Sequence, residues 1–89
     1  MPRLKRLSDD VGDCGSMSYA IRWEDNGKFK EIAGERPIVG CSMMVGSERA
    51  RTMNKQDYWL TTVVTEILED TLDYVKFRTK NSIYEWNRM

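Results

Sequence analysis

Four basic side chains, Arg49, Arg51, Lys55 and Arg78, and four aromatic ones, Tyr58, Trp59, Tyr74 and Tyr84, are the residues of this chain best equipped to hold a ligand. Guanidinium forks match phosphate oxygens, and aromatic faces stack on nucleobases. Thr79, Asn81 and Ser82 add groups that hydrogen-bond a ribose or a base edge. Taken together they predict a nucleotide-sized binding site, with Arg78, Asn81, Arg49, Arg51 and Tyr58 as its candidate ligand-binding residues. Taken singly, the arginines also suit a solvated face and the aromatics a core.

Catalysis finds less support. The chain has no histidine, so the commonest general base and metal ligand is missing. Ser42, Ser82 and Thr61 are nucleophiles with no ordinary base to activate them. Two cysteines, Cys14 and Cys41, are too few for a zinc site. Cys41 lies in an apolar run and reads as a buried thiol, and a disulfide to Cys14 stays open. Glu66, Glu69, Asp70 and Asp73 form an acidic patch that suits either a hard cation or a solvated turn. No glycine-rich phosphate loop, dinucleotide fingerprint or zinc spacing is present. The expectation is a binding protein that is not an enzyme and needs no cofactor or metal.

Composition narrows the partners. Lysine plus arginine and aspartate plus glutamate number 14 each, so no global field draws the chain to nucleic acid or membrane. No apolar run approaches the roughly 18 residues of a membrane span. A chain of 89 residues buries only about 60–65% of its unfolded surface, which favours self-association. Residues 1–16 run from basic to acidic and Gly/Ser-rich without a period, and read as a disordered leader. Gly15-Ser16-Met17 also resembles a cloning scar before a start codon, which would make 17–89 the natural chain, a single small β-rich domain.

The elements that must position these residues are mostly strands. Tyr74 to Trp86 alternates in character around Lys80-Asn81, where Asn tolerates positive φ, and reads as a hairpin. The implied pairs are Thr79–Ser82, Arg78–Ile83, Phe77–Tyr84, Lys76–Glu85 and Val75–Trp86. A one-residue slip would split Phe77 from Trp86, so the pattern selects its own register. Arg78 then faces away from the core opposite Ile83, without a carboxylate, while Lys76 has Glu85. Ser18–Trp23 and Phe29–Ala33 flank Asn26-Gly27, a second hairpin with Tyr19, Ile21 and Trp23 on the core face. Ile38–Val45 follows, apolar on both sides, which places it centrally or at a subunit contact.

Residues 59–69 are ambiguous. Leu60, Val63, Val64, Ile67 and Leu68 fit a helical stripe, whereas Thr61-Thr62-Val63-Val64-Thr65 is a β-branched run. A short helical turn containing Tyr58 and Trp59, capped by Asn54 with Asp57, followed by a strand over 61–69 is the favoured reading. The fold class is mainly β (small α+β): an antiparallel sheet or barrel-like domain of about six short strands with one helical turn.

Gln56-Asp57-Tyr58-Trp59-Leu60-Thr61-Thr62, Val64-Thr65-Glu66-Ile67-Leu68-Glu69 and Phe77-Arg78-Thr79-Lys80-Asn81-Ser82-Ile83-Tyr84-Glu85-Trp86 resemble a phage family, the first described type of Thoeris anti-defence protein. The resemblance covers roughly Val45 to Trp86. It implies a sponge in the host cytoplasm that binds cyclic ADP-ribose isomers without cleaving them and so blocks Thoeris immunity. It also implies dimers or higher homo-oligomers with pockets at subunit contacts, and in some members a separate site for cyclic oligonucleotides. Arg78 and Asn81 match the shared motif; Arg49, Arg51 and Tyr58 are carried by their chemistry alone. The competing expectation is a small β-barrel module that binds nucleic acid or protein, against which the zero net charge argues.

Overall fold

The computed structural model describes residues 2–46 and 58–88 of the chain. Among them are eight strands and no helix: β1 (Arg3–Arg6), β2 (Val11–Cys14), β3 (Met17–Trp23), β4 (Phe29–Gly34), β5 (Cys41–Gly46), β6 (Tyr58–Asp70), β7 (Tyr74–Thr79) and β8 (Ile83–Asn87). They form one antiparallel sheet in the order β2-β1-β8-β7-β6-β5-β3-β4. The sheet is open, with β2 and β4 as edges, so the barrel-like alternative and the count of six strands are both corrected. The two additional strands are β1 and β2, in the stretch expected to be a disordered leader. Leu4 of that hairpin pairs with Trp86 and is only 1% exposed, so its burial fixes the hairpin against β8.

Strand β6 organises the sheet. Its first half pairs with β5 and its second with β7. Three extra residues interrupt these ladders on β6: one between Leu60 and Val63, then Thr65, then Leu68. Each is a β-bulge, and bulges bend and twist a strand. They also explain the helical stripe seen in the sequence. A bulge resets the inside–outside alternation, so Leu60 and Val63 share the outer face, and Val64 and Ile67 the inner one, despite spacings of three. The stripe was therefore strand, and the helical turn proposed for Tyr58 and Trp59 is the strand's first turnless residues; the capping residues Asn54 and Asp57 lie outside the described residues.

The bent sheet folds over a single interior. Ala20 (β3), Cys41, Met43 and Val45 (β5) meet Leu4 (β1), Val75 and Phe77 (β7), and Tyr84 and Trp86 (β8). Trp86 Nε1 donates to Ser18 Oγ at 3.0 Å and joins the two halves. Tyr19, Ile21 and Trp23 were expected to face this core, but the inner face of β3 is Ser18, Ala20 and Arg22, opposite Val45, Met43 and Cys41. The small Ala20 fits against Met43, and the trio lies on the other face, where Ile21 is nonetheless buried and Tyr19 and Trp23 are partly buried. Strand β5 begins at Cys41 and not at Ile38, because Gly40 takes φ 92° and turns the chain, leaving Val39 54% exposed.

Turn chemistry is as local as the sequence implies. Asn26-Gly27 closes β3–β4 with three residues between Glu24 and Lys28, Gly27 taking φ 85°. Cys14 and Cys41 are free thiols, exposed and buried respectively. Among the described residues no helix is long and apolar enough to cross a membrane.

Candidate functional site

The β7–β8 hairpin has the register that its alternation dictates: Val75 opposite Trp86, Lys76 opposite Glu85, Phe77 opposite Tyr84 and Arg78 opposite Ile83. Phe77 and Tyr84 stack with ring centroids 5.4 Å apart, so Tyr84 is a core residue and offers no free face. Thr79 N–H donates to Ser82 O at 2.8 Å and closes the turn. Asp10 is the one non-glycine residue with positive φ among those described, so Asn81 turns the chain without entering the left-handed region. Arg78, Thr79, Lys80, Asn81, Ser82 and Ile83 line a shallow depression of about 170 Å³ at this tip. Arg78 and Asn81 are thus brought together. The Thr79 hydroxyl is occupied by Ser82 backbone and is buried.

Two details differ from the sequence reading. Arg78 is not left without a carboxylate: β6 runs beside β7 and sets Glu66 opposite it, at 3.3 Å between NH1 and Oε1. Considering the hairpin alone had missed the strand on its other side. Both side chains are about half exposed, and an exposed pair of this kind is worth only about 0–1 kcal/mol. Arg78 therefore remains exchangeable. Glu85, in turn, is engaged by Tyr74, whose hydroxyl donates at 2.6 Å, and by Lys5 at 3.6 Å. Burial and the Glu85 hydrogen bond push the Tyr74 phenol up to about 12.

Tyr58 does not line this depression. It begins β6 opposite Gly46, eight residues ahead of Glu66. Trp59 packs inward, its Nε1 3.5 Å from the Tyr84 hydroxyl and its ring under the Arg6 guanidinium at 5.0 Å. Arg49, Arg51 and Lys55 lie outside the described residues. The acidic patch is divided among arginines: Glu66 meets Arg78, Asp70 meets Arg36, and Asp73 approaches Arg88 at 3.7 Å. No cluster of three metal-ligating side chains occurs among the described residues.

Sequence reasoning missed Arg6 and Arg36. Arg6 donates from Nε to Asp9 Oδ1 at 3.0 Å, a bond that raises the guanidinium's pKa and holds the Asp9 carboxyl below its ordinary range. Arg36 donates to the carbonyls of Leu72 at 2.7 Å and Thr71 at 2.6 Å while lying 5.5 Å over the Trp86 ring. Arg36 is a clasp between distant segments, and Arg6, bonded locally to Asp9, reaches β6 only through the Trp59 ring; no local motif announces either long-range contact. A more enclosed cavity of about 260 Å³ lies between Ser18, Tyr19, Glu35, Trp86 and Arg88. Its Ser18 hydroxyl is already used, donating to Glu35 O at 2.8 Å and accepting from Trp86.

Comparison of the chain with protein-family models, curated proteins and solved structures finds no match.

Proposed function

We propose that this protein is a non-catalytic sponge for a small signalling nucleotide of the cyclic ADP-ribose type, acting in the host cytoplasm as a phage anti-defence factor against Thoeris immunity. The observation that carries the reading is the convergence of Arg78 and Asn81 on one depression, an anion fork beside an amide, at a turn closed by hydrogen bonds between Thr79 and Ser82. A pre-organised site suits a sponge, because binding to it loses little conformational entropy. The depression, at about 170 Å³, is smaller than the roughly 300–1,000 Å³ of pockets that enclose small ligands. One chain therefore contributes part of the site, in keeping with a homo-oligomer whose pocket is shared between copies. Nucleic acid is the less favoured partner. Arg6, Arg22, Arg36, Arg78 and Arg88 each meet a carboxylate, so no unopposed basic stripe is formed by them.

The test is to incubate the protein with cyclic ADP-ribose isomers and, separately, cyclic trinucleotides, then heat it and assay for released, intact ligand. Calorimetry on variants assigns the site. A hydrogen bond to a charged group contributes about 1.5–3 kcal/mol, so Arg78→Ala should weaken binding roughly 10- to 150-fold. Glu66→Gln should tighten it, because an anion no longer competes for Arg78. Lys76→Ala is the control and should change affinity little. A parent that binds neither ligand, or an Arg78→Ala variant that binds as tightly as the parent, rejects the proposal.

A further inference from the structure

The cavity of about 260 Å³ beside Trp86 shares no residue with the depression at the β7–β8 tip. Ser18 and Tyr19 reach it from β3, Glu35 from the link between β4 and β5, Trp86 from β8 and Arg88 from just beyond it. Ser18 is its fixed point. That residue is 6% exposed, and its hydroxyl donates to the Glu35 carbonyl at 2.8 Å and accepts from Trp86 Nε1 at 3.0 Å. A hydroxyl oxygen has two acceptor sites, so one is left over. The Glu35 backbone is thereby tied to β3, while the Arg88 N–H donates to Asp73 O at 2.9 Å and ties down the other charged residue.

Both charged side chains on this cavity are open. The Glu35 carboxylate makes no ion pair or hydrogen bond among the described residues. Arg6, Arg22, Arg36 and Arg78 each reach a carboxylate within 3.3 Å. Arg88 has only Asp73, at 3.7 Å between Nε and Oδ1, which is too long for a hydrogen bond. Glu35 and Arg88 line one space and still do not pair with each other. A molecule that carries both charges fits between them.

We propose that this cavity binds a small zwitterion of the α-amino acid class. Its ammonium meets the Glu35 carboxylate and the remaining acceptor site of Ser18, and its carboxylate takes the Arg88 guanidinium, whose fork suits that group. Charge selects this class over the alternatives. A simple cation would sit against Arg88, and a simple anion against Glu35. A phosphate ester meets the same objection, so this is not a second nucleotide site. The volume lies below the roughly 300–1,000 Å³ of pockets for larger ligands, which suits a molecule of amino-acid size. Trp86 and Tyr19 add aromatic surface to the lining, which favours an apolar side chain on the ligand.

L-leucine is the probe, followed through the tryptophan indole N–H signals of the full chain by proton–nitrogen NMR. Trp23→Phe and Trp59→Phe assign the Trp86 signal by elimination and leave the buried ring in place. Leucine should shift the Trp86 signal with a Kd of about 1 mM, and Glu35→Gln and Arg88→Gln should each weaken it at least roughly fivefold. Both are exposed side chains, so the fold should survive their substitution. Isocaproate, which lacks the ammonium, and isoamylamine, which lacks the carboxylate, should each bind more weakly than leucine by a similar factor. No nucleotide takes part, so the outcome is independent of the reading of the β7–β8 tip. A Trp86 signal unmoved at about 20 mM leucine overturns the proposal. So does either variant that binds as tightly as the parent, or either analogue that matches leucine.

Discussion

The two outer surfaces of the bent sheet differ more than any other regions of the molecule. Across β1, β8, β7 and β6 one row reads Lys5, Glu85, Lys76, Glu69, alternating in sign from strand to strand. Beside it Arg78 faces Glu66. Across β4, β3, β5 and β6 the corresponding rows, Ile32–Ile21–Ser42–Val63 and Tyr19–Met44–Leu60, carry no charge. Opposite charges on neighbouring strands contribute roughly 0.2–1 kcal/mol a pair and keep their face solvated. The apolar rows gain nothing from water. The same interior backs both faces, and the single chain already buries Ile21 and Ser42 at the centre of the uncharged face while Phe29, Ile32, Leu60 and Val63 stay exposed. The depression at the β7–β8 tip adjoins β6 through the Thr79–Val64 pair.

The comparison rests on both halves sharing one interior, and the largest expected effect tests that premise. Phe77 is fully buried, stacked on Tyr84 and opposite Ile67 of β6. Phe77→Ala should cost about 3–5 kcal/mol. Thermal unfolding should then shift down as a single transition, whether followed by tryptophan fluorescence or by far-UV circular dichroism. Two separate transitions would show that the halves are independent and that the contrast between their outer faces is one between two units.

A smaller effect sharpens the same point. Arg36 leaves the link between β4 and β5, in the apolar half, and grips the β6–β7 turn of the charged half through Asp70 and the carbonyls of Thr71 and Leu72. Arg36→Leu keeps some cover over Trp86 but removes these charge-assisted bonds. A loss of about 1–2 kcal/mol is expected, less than for a fully buried network because the guanidinium is partly exposed. Urea denaturation should show a lower midpoint with an unchanged slope. A midpoint equal to the parent's would mean that the clasp contributes nothing to joining the halves.

The two regions also differ in how readable they were. The β7–β8 register was legible because polar and apolar residues alternate strictly around a two-residue turn, so each residue's face follows from its neighbour's. Arg78's partner was not legible: Glu66 is set opposite it by a register that two bulges on β6 shift, and bulges leave no sequence mark beyond a broken period. The same bulges made Leu60, Val63, Val64 and Ile67 look helical, and only β-branching at Thr61–Thr65 pointed to strand. Tyr19, Ile21 and Trp23 were assigned to the core because a bulky trio in alternation ordinarily is core; Ile21 is buried, but Ala20 against Met43 takes the inner face and leaves Tyr19 and Trp23 only partly buried. Both faces of β5 read as apolar from sequence, and the strand is internal to the sheet with every residue but Met44 buried. The β1–β2 hairpin carries one strong apolar anchor, Leu4, too little for any pattern to reveal.

The smallest effect probes the charged face at high pH. Tyr74 is held on that face with its hydroxyl donating to Glu85, and its phenol is pushed up to about 12, first by burial and then by the carboxylate that accepts its proton. In the unfolded chain the phenol ionises near its ordinary value of about 10. The folded state therefore keeps a proton that the unfolded state releases. Its contribution to stability is complete below about pH 10 and is lost as pH rises toward about 12. Absorbance at about 295 nm should show one tyrosine titrating above the others, and Tyr74→Phe should remove that late step. In Tyr74→Phe the part of the alkaline stability loss due to this group should vanish, while Lys5 remains beside Glu85 and keeps the carboxylate paired. Should the late step persist in Tyr74→Phe, another phenol is the shielded one and the Tyr74–Glu85 bond is not what orders this face.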